Sequence, residues 1–311
     1  MGPADPLAAW AEVAAAHLAD VAAQSVLPTL GDRPGGDAHW QSATQVVTAH
    51  DDAAGAALAE RFARSFPGHG LIVEDREPRA GDGVHTWSID PIDGSANHLR
   101  GIPYVSLTAG LVRDGVPVIG VVHDLLRGVS TTAIAGRGAY STVVSGPACS
   151  LGDGATRTPD DMSAAHTRTG GERRELRLDS APDLADAMAI VHIARRGPLM
   201  GREGALARLL WGVRKIRCMG SIALDLALLA RGEADLLVAG RGRPQRMLDI
   251  IGGLVVLNEA GGVALDANGA PHSETSRTLI AGAPSLCHAF VELMAEHELE
   301  AWSADDTRPP A

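Results

Sequence analysis

The chain has 311 residues, of which 45% are hydrophobic and 21% charged, enough apolar material for a large core. Its formal net charge of −11 disfavours nucleic-acid polymers or an anionic membrane as partners through the whole-protein field. Aromatic residues make up only 3%, so the core must be assembled from Ala, Val, Leu and Ile.

In chain order, residues 6–24 carry a helical stripe of Leu7, Trp10, Val13, Ala14, Leu18 and Val21. A polar, Gly-rich stretch follows at 31–43. Thr48 to Asp51 is placed to cap a second helix reaching about Phe66. Leu71–Val73 and Val84–Ile89 read as strands that end in acids, Glu74 and Asp75 for the first and Asp90 for the second. Tyr104–Val112, Val116–Val122 and Val129–Ala135 are β-rich runs divided by Arg-Asp-Gly and Leu-Arg-Gly turns, the pattern of an antiparallel meander. Residues 141–174 are rich in Ser, Thr, Gly, Asp and Pro, and read as a surface insertion containing Arg157, Arg168, Arg173 and Arg174.

From about 186 strands alternate with helices. Strands are expected at 189–193, 213–217, 234–238, 263–265 and 278–281, and helices near 202–212, 221–231, 248–260 and 284–297. The expected organisation is therefore an α+β N-terminal half over 1–185 and an α/β C-terminal half over 186–299. A tail at 300–311 looks disordered. Cys149, Cys218 and Cys287 show no metal-ligand spacing and suit a reducing compartment. No basic leader or long apolar span is evident, so a soluble cytoplasmic protein is the expectation.

The densest chemical signal is Trp87-Ser88-Ile89-Asp90-Pro91-Ile92-Asp93-Gly94-Ser95-Ala96-Asn97. An apolar strand ends in two carboxylates three residues apart, and a turn then opens into a helix. Carboxylates bind hard cations through oxygen, and helix-start N–H groups attract anions. Asp249 adds an acid in the first turn of an otherwise apolar helix. Taken singly, each acid reads as a cap or a solvated turn residue; the Asp-Pro-Ile-Asp-Gly-Ser string does not. The Asp-x-Asp of haloacid-dehalogenase phosphatases, the phosphate loop ending in Gly-Lys-Ser/Thr and the Gly-x-Ser-x-Gly elbow are all missing.

The run WSIDPIDGSANHLRGIPYVSLTAGLV resembles the signature of the inositol-monophosphatase-like family of metal-dependent phosphatases, and MLDIIGGLVVLNEAGGVALD resembles its second signature. HGLIVEDRE, VVTAHD and RCMGSIALDLALLARGEADLLV are similar to further family segments in family order, so the resemblance covers about residues 7 to 297. It implies a layered αβαβα sandwich of the inositol monophosphatase/fructose-1,6-bisphosphatase type, often homodimeric, that hydrolyses a small phosphate ester and is sensitive to lithium. It also implies that Glu74, Asp90 and the Ile92 carbonyl bind a first Mg²⁺. Asp90, Asp93 and Asp249 would bind a second, and Glu74, with Asp51 nearby, a weaker third; Mn²⁺ is a possible substitute. Ser95 and Glu74 would orient water, and the N–H groups of Gly94 and Ser95 would hold phosphate. Gly220, Ser221 and Ile222 match the substrate-side segment.

The sequence departs from the family around the substrate. Gly242 stands where a Glu contacts substrate hydroxyls, Leu248 where a Trp precedes the metal Asp, His98 where a Phe follows the Asn, and Trp40 where a Lys is usual. These changes point away from myo-inositol 1-phosphate. Arg241, Arg243, Gln245 and Arg246 replace the expected loop, as a plain surface loop or as a clamp for a second anion, with Arg243 and Arg246 its candidate contacts. His98 is a candidate for a leaving-group contact or a polar rim. A cyclitol, sugar or nucleotide phosphate is the expected substrate class, with nucleotide, sugar-bisphosphate and histidinol-phosphate hydrolysis as alternatives. A non-catalytic homologue that binds metal or a partner is the alternative from another class.

Overall fold

The computed structural model describes residues 6–32, 39–40, 46–47, 49–144, 172–178, 183–193, 211–240 and 247–296. Helices α1 (Leu7–Val21) and α2 (Ala49–Ser65) cover one face of a seven-stranded sheet of order β3-β4-β5-β6-β7-β8-β9. Its strands are β3 (Gly70–Val73), β4 (His85–Asp93), β5 (Ser106–Arg113), β6 (Val116–Asp124), β7 (Val129–Ile134), β8 (Ala139–Val143) and β9 (Arg173–Leu176). A short pair, β1 (His39–Trp40) and β2 (Val46–Val47), lies apart, and α3 (Ser95–Arg100) follows β4.

The second sheet has five strands: β10 (Met188–Ile193), β11 (Lys215–Arg217), β12 (Leu236–Gly240), β13 (Val263–Leu265) and β14 (Thr278–Gly282). Helices α4 (Ile222–Ala230) and α5 (Met247–Glu259) fill the layer between the sheets, and α6 (Pro284–Glu296) covers the outer face of the second. The order helix, sheet, helix, sheet, helix is the expected αβαβα sandwich.

The helices form where apolar spacing allows them one buried face. On α1 the buried stripe Leu7, Ala11, Ala14, Leu18 and Val21 is spaced by three and four, with Ala19 buried beside it. Val13, expected on that stripe, is 36% exposed instead. On α2, Ala54, Leu58 and Phe62 face inward, while Asp51 and Asp52 occupy the first turn, where the helix dipole favours negative charge. The second sheet is mixed: β10 pairs parallel with β11 and β12, but β14 is antiparallel to both β12 and β13. Strands β8 and β9 occupy both ends of the expected 141–174 insertion and pair antiparallel. Residues 145–171, nearly all of the 202–212 helix and the 300–311 tail lie outside the described residues.

Two features, one in the seven-stranded sheet and one in the helix packed on it, position the site. Strand β4 is buried from Trp87 to Asp93, and its pairing with β5 slips. Asp90 lies opposite Thr108 and Asp93 opposite Ser106, so three steps on β4 span two on β5. In a regular strand, residues three apart point to opposite faces. The bulge absorbs one residue, so Asp90 and Asp93 share a face with Thr108 and Ser106. Pro91, which has no N–H to give a ladder, sits inside the bulge.

The second feature is close approach of α5. A Cβ on Gly252 would lie 2.4 Å from Thr108 Oγ1 and 2.8 Å from the Ala109 carbonyl; one on Gly120 would lie 2.2 Å from the Gly252 carbonyl. Glycine at these positions lets α5 lie directly on β5 and β6, and that depth brings Asp249, one turn earlier, beside β4.

Candidate active site

Glu74, Asp90 and Asp249 come together from three separate elements, with a carboxylate oxygen of each within 4.8 Å of the others. Glu74 follows β3, its backbone N–H donating to the Ile89 carbonyl at 2.9 Å. Asp90 is 3% exposed, and its Oδ1 accepts the Ile92 N–H at 3.0 Å. Burial raises the Asp90 carboxyl well above the usual range. The charges of Glu74, Asp93 and Asp249, with a side-chain hydrogen bond to Glu74, push the same way. Three acids crowded in a low-dielectric pocket repel one another. An oxygen-only donor set of this kind fits a hard divalent cation such as Mg²⁺.

Asp93 is turned toward α4. Its Oδ2 accepts the Ser221 hydroxyl at 2.6 Å, the Ala223 N–H at 2.8 Å and the Ser106 hydroxyl at 3.2 Å; its Oδ1 accepts the Ile222 N–H at 3.2 Å. The carboxylate thus satisfies two of the orphan N–H groups at the start of α4. Burial still raises its pKa, against the opposing hydrogen bonds from Ser221 and Ala223. Asp93 lies outside the three-acid group, yet it is the hinge pin between that group and the substrate-side segment.

Gly94 has φ 100° and Gly220 φ 95°, left-handed values that suit glycine. Asn97 Nδ2 donates to the Tyr104 and Met219 carbonyls, each at 2.8 Å. One side chain therefore fixes the 94–97 turn against the 219–222 turn. The Ser95 hydroxyl lies 2.9 Å from Asp51 Oδ1 and 3.0 Å from the Ile92 carbonyl, both acceptors. Glu74, Asp90 and Asp249 form one group, Ser95 reaches Asp51, and Asp93 reaches the 221–223 turn.

The inositol monophosphatase family model matches residues 7–299. The chain belongs to the inositol monophosphatase family. Inositol monophosphatase 1 of Solanum lycopersicum is 31% identical over 80% of this chain and 82% of its own length. Nus factor SuhB of Pasteurella multocida is 30% identical over 79% of this chain and 81% of its own. The fold is similar to that of the extragenic suppressor protein suhB from Bartonella henselae. The TM-score is 0.76 with 22% identity, covering 92% of this chain and 98% of that one.

His98 does not sit at the rim of the site. It is fully buried, and its Nε2 lies 3.1 Å from both the Val26 carbonyl and the Thr29 hydroxyl. It ties α3 to the end of the first helical segment, which excludes both a polar rim and a leaving-group contact. Arg241 to Arg246, including Arg243 and Arg246, fall outside the described residues, as do the side chains of Trp40 and Leu248. Arg173, expected on a surface insertion, lies on β9 with its guanidinium carbon 3.7 Å from the Tyr140 ring centre.

Sequence reasoning missed Asp225. It is the one charged residue in the apolar run Ile222–Ala230 and is fully buried. A single acid inside such a run was the available signal. Its partners, Tyr104 and His192, come from distant segments and carried none. Among the described residues no helix is long and apolar enough to cross a membrane.

Proposed function

We propose that this protein is a Mg²⁺-dependent phosphomonoesterase acting on a small phosphorylated metabolite. The observation that carries the reading is the convergence of Glu74, Asp90 and Asp249 at the ends of β3 and β4 and the start of α5. Those three carboxylates would hold Mg²⁺, with the Ile92 carbonyl and Asp93 as further ligands and Asp51 near a weaker position. Bound divalent ions would supply charge neutralisation for the ester and a lowered pKa for water.

The chain's own residues complete the task. The Ser95 hydroxyl, within reach of Asp51, accepts a hydrogen bond from the attacking water and directs its own proton toward Asp51 Oδ1. The N–H groups of Gly94 and Ser95 on one side, and the Gly220, Ser221 and Ile222 turn on the other, cradle the phosphate. Water oxygen bonds to phosphorus as the ester P–O bond breaks in line; one of the water's protons stays with the phosphate product and the other ends on the departing alkoxide, which leaves as the alcohol. The Arg241–Arg246 loop, through Arg243 and Arg246, is a specificity element for a second anionic group. Homodimeric assembly belongs to the same reading, and sedimentation in solution checks it.

Phosphate release from a panel of cyclitol, sugar, sugar-bisphosphate and nucleotide esters tests the proposal. Release that requires Mg²⁺ and is inhibited by Li⁺ is expected. Mg²⁺ binding with no turnover of any ester would overturn it. That outcome favours a second reading, a homologue without turnover, which is motivated by relatives named Nus factor SuhB.

A further inference from the structure

We propose that His192, held by Asp225 and Tyr104, is a specificity residue that takes a hydroxyl group on the alcohol portion of the phosphate ester. The inference rests on the phosphomonoesterase reading and adds a specificity contact to it.

Every residue of α4 is buried, and Asp225 is its only charged one. A bare carboxylate there would be costly. Two partners compensate: the Tyr104 hydroxyl donates to Oδ1 at 2.5 Å, and His192 Nε2 bonds Oδ2. Burial and the neighbouring Asp225 charge push the Tyr104 phenol upward, so it remains an O–H donor. With Nε2 committed to the carboxylate, the ring is fixed in orientation, as a second carboxylate fixes a metal-binding or catalytic imidazole. The other nitrogen, Nδ1, is the one left for a ligand. Asp225 is fully buried, whereas the His192 side chain is 12% exposed, so the imidazole sits where the core ends.

The place in the fold is informative. His192 is near the C-terminal end of β10, opposite Ala239 on the parallel neighbour β12. Carboxyl ends of parallel strands are where open α/β sheets bind ligands. Asp225 is in the first turn of α4, whose preceding residue Ser221 and opening N–H groups bond Asp93. Tyr104 is tied in from the other side, since its carbonyl accepts from Asn97, the residue that clamps the 94–97 and 219–222 turns. The three polar groups are therefore braced against both turns proposed to cradle the phosphate. A neutral imidazole with Nε2–H on Asp225 offers a lone pair at Nδ1, and a protonated one offers N–H. A hydroxyl, donor and acceptor at once, satisfies either.

Calorimetry with two phosphonates of equal carbon count, one polyhydroxylated and one plain alkyl, in Mg²⁺ buffer tests the idea. His192→Ala should weaken the hydroxylated phosphonate roughly 10- to 100-fold more than the plain one, the scale of a hydrogen bond to a charge-paired group. Tyr104→Phe removes one O–H at nearly constant volume and should give a smaller loss of the same sign; it carries the test if His192→Ala fails to fold. Equal losses for both phosphonates, no loss for either, or no binding of either to the wild-type protein would overturn the proposal. Equal losses would identify the trio as core support. Absence of phosphate release from every ester, with the phosphonate preference intact, would instead overturn the phosphomonoesterase reading alone.

Discussion

Strands β3 and β4 carry a compact three-residue polar group at each end, and the two groups behave oppositely. At one end lie Glu74, Asp90 and Asp249; at the other lie His69, Asp82 and His85, also with ligand-type atoms within 4.8 Å of one another. His85 and Asp90 are five residues apart, about 16 Å along a strand. In the second group one nitrogen of each ring and both carboxylate oxygens already hold hydrogen bonds. Trp87 Nε1 donates to His69 Nδ1 at 3.1 Å, and His85 Nδ1 lies 2.9 Å from Asp82 Oδ2. Asp82 Oδ1 takes the Val84 and His85 N–H groups, and those bonds hold its carboxyl far below the ordinary range. The His69 ring stacks on both His85 and Phe66, with Trp10 edge-on to all three. Proximity of ligand-type atoms is thus a weak criterion. Like charges crowded together by burial, as around Asp90, are what call for a cation.

The largest test of that contrast is Asp90→Asn. Substituting the acid shared between the proposed metal positions should lower phosphate release by more than about 10³-fold while the chain stays folded. Turnover close to wild type would remove the acid group from the mechanism. The second test is stability against pH. The folded-state pKa of Asp90 is raised, so between its unfolded and folded values the native state binds more protons than the unfolded chain. Stability from this group is present at low pH and is lost as pH rises through the folded value. Metal-free protein should therefore lose stability on going from acid toward neutral pH through this group, and Mg²⁺ should restore it. At 100 times its Kd the ion adds about 2.7 kcal/mol, visible as a rise in Tm that shrinks at acid pH. A Tm indifferent to Mg²⁺ at neutral pH would mean that the folded chain does not bind the ion and would remove the metal from the proposal.

Much of this was legible in the sequence because the signals are local. The apolar strand ending in Asp90-Pro91-Ile92-Asp93, the helix carrying Asp249 and the three meander strands all announce themselves by periodicity. What was not legible depends on register and distant partners. Nothing in the string says that a bulge puts Asp90 and Asp93 on one face, since that emerges only in the pairing with β5. His98 looked like a rim residue because its partners, Val26 and Thr29, lie some seventy positions away. Asp225 was hidden for the same reason, its partners being supplied by β10 and the segment before β5.

Asp93 stands between the two behaviours, charged like its neighbours yet hydrogen-bonded on both oxygens. Asp93→Asn replaces one acceptor oxygen with an amide that faces the Ala223 N–H or the Ser221 hydroxyl. A cost of about 2 kcal/mol is expected in denaturant unfolding, from a lost helix cap and an opposed donor pair. Mg²⁺ affinity should fall as well, since Oδ1 receives only one bond and retains capacity for a cation. A variant that loses stability but binds Mg²⁺ as tightly as wild type would make Asp93 a cap alone.

The smallest effect is expected at the opposite end. His85→Ala removes the ring that stacks on His69, worth about 1 kcal/mol, together with the bond to the exposed Asp82. Asp82 keeps its two backbone N–H donors, so the turn survives, and the His69–Trp87 hydrogen bond is untouched. Unfolding should shift by about 1 kcal/mol, with the number of bound Mg²⁺ ions and the rate of phosphate release both as in wild type. Because the two groups share β3 and β4, this outcome would separate charge from connectivity. Loss of a bound ion on His85→Ala would mean that the ring group also holds metal, and the contrast between the strand ends would then fail.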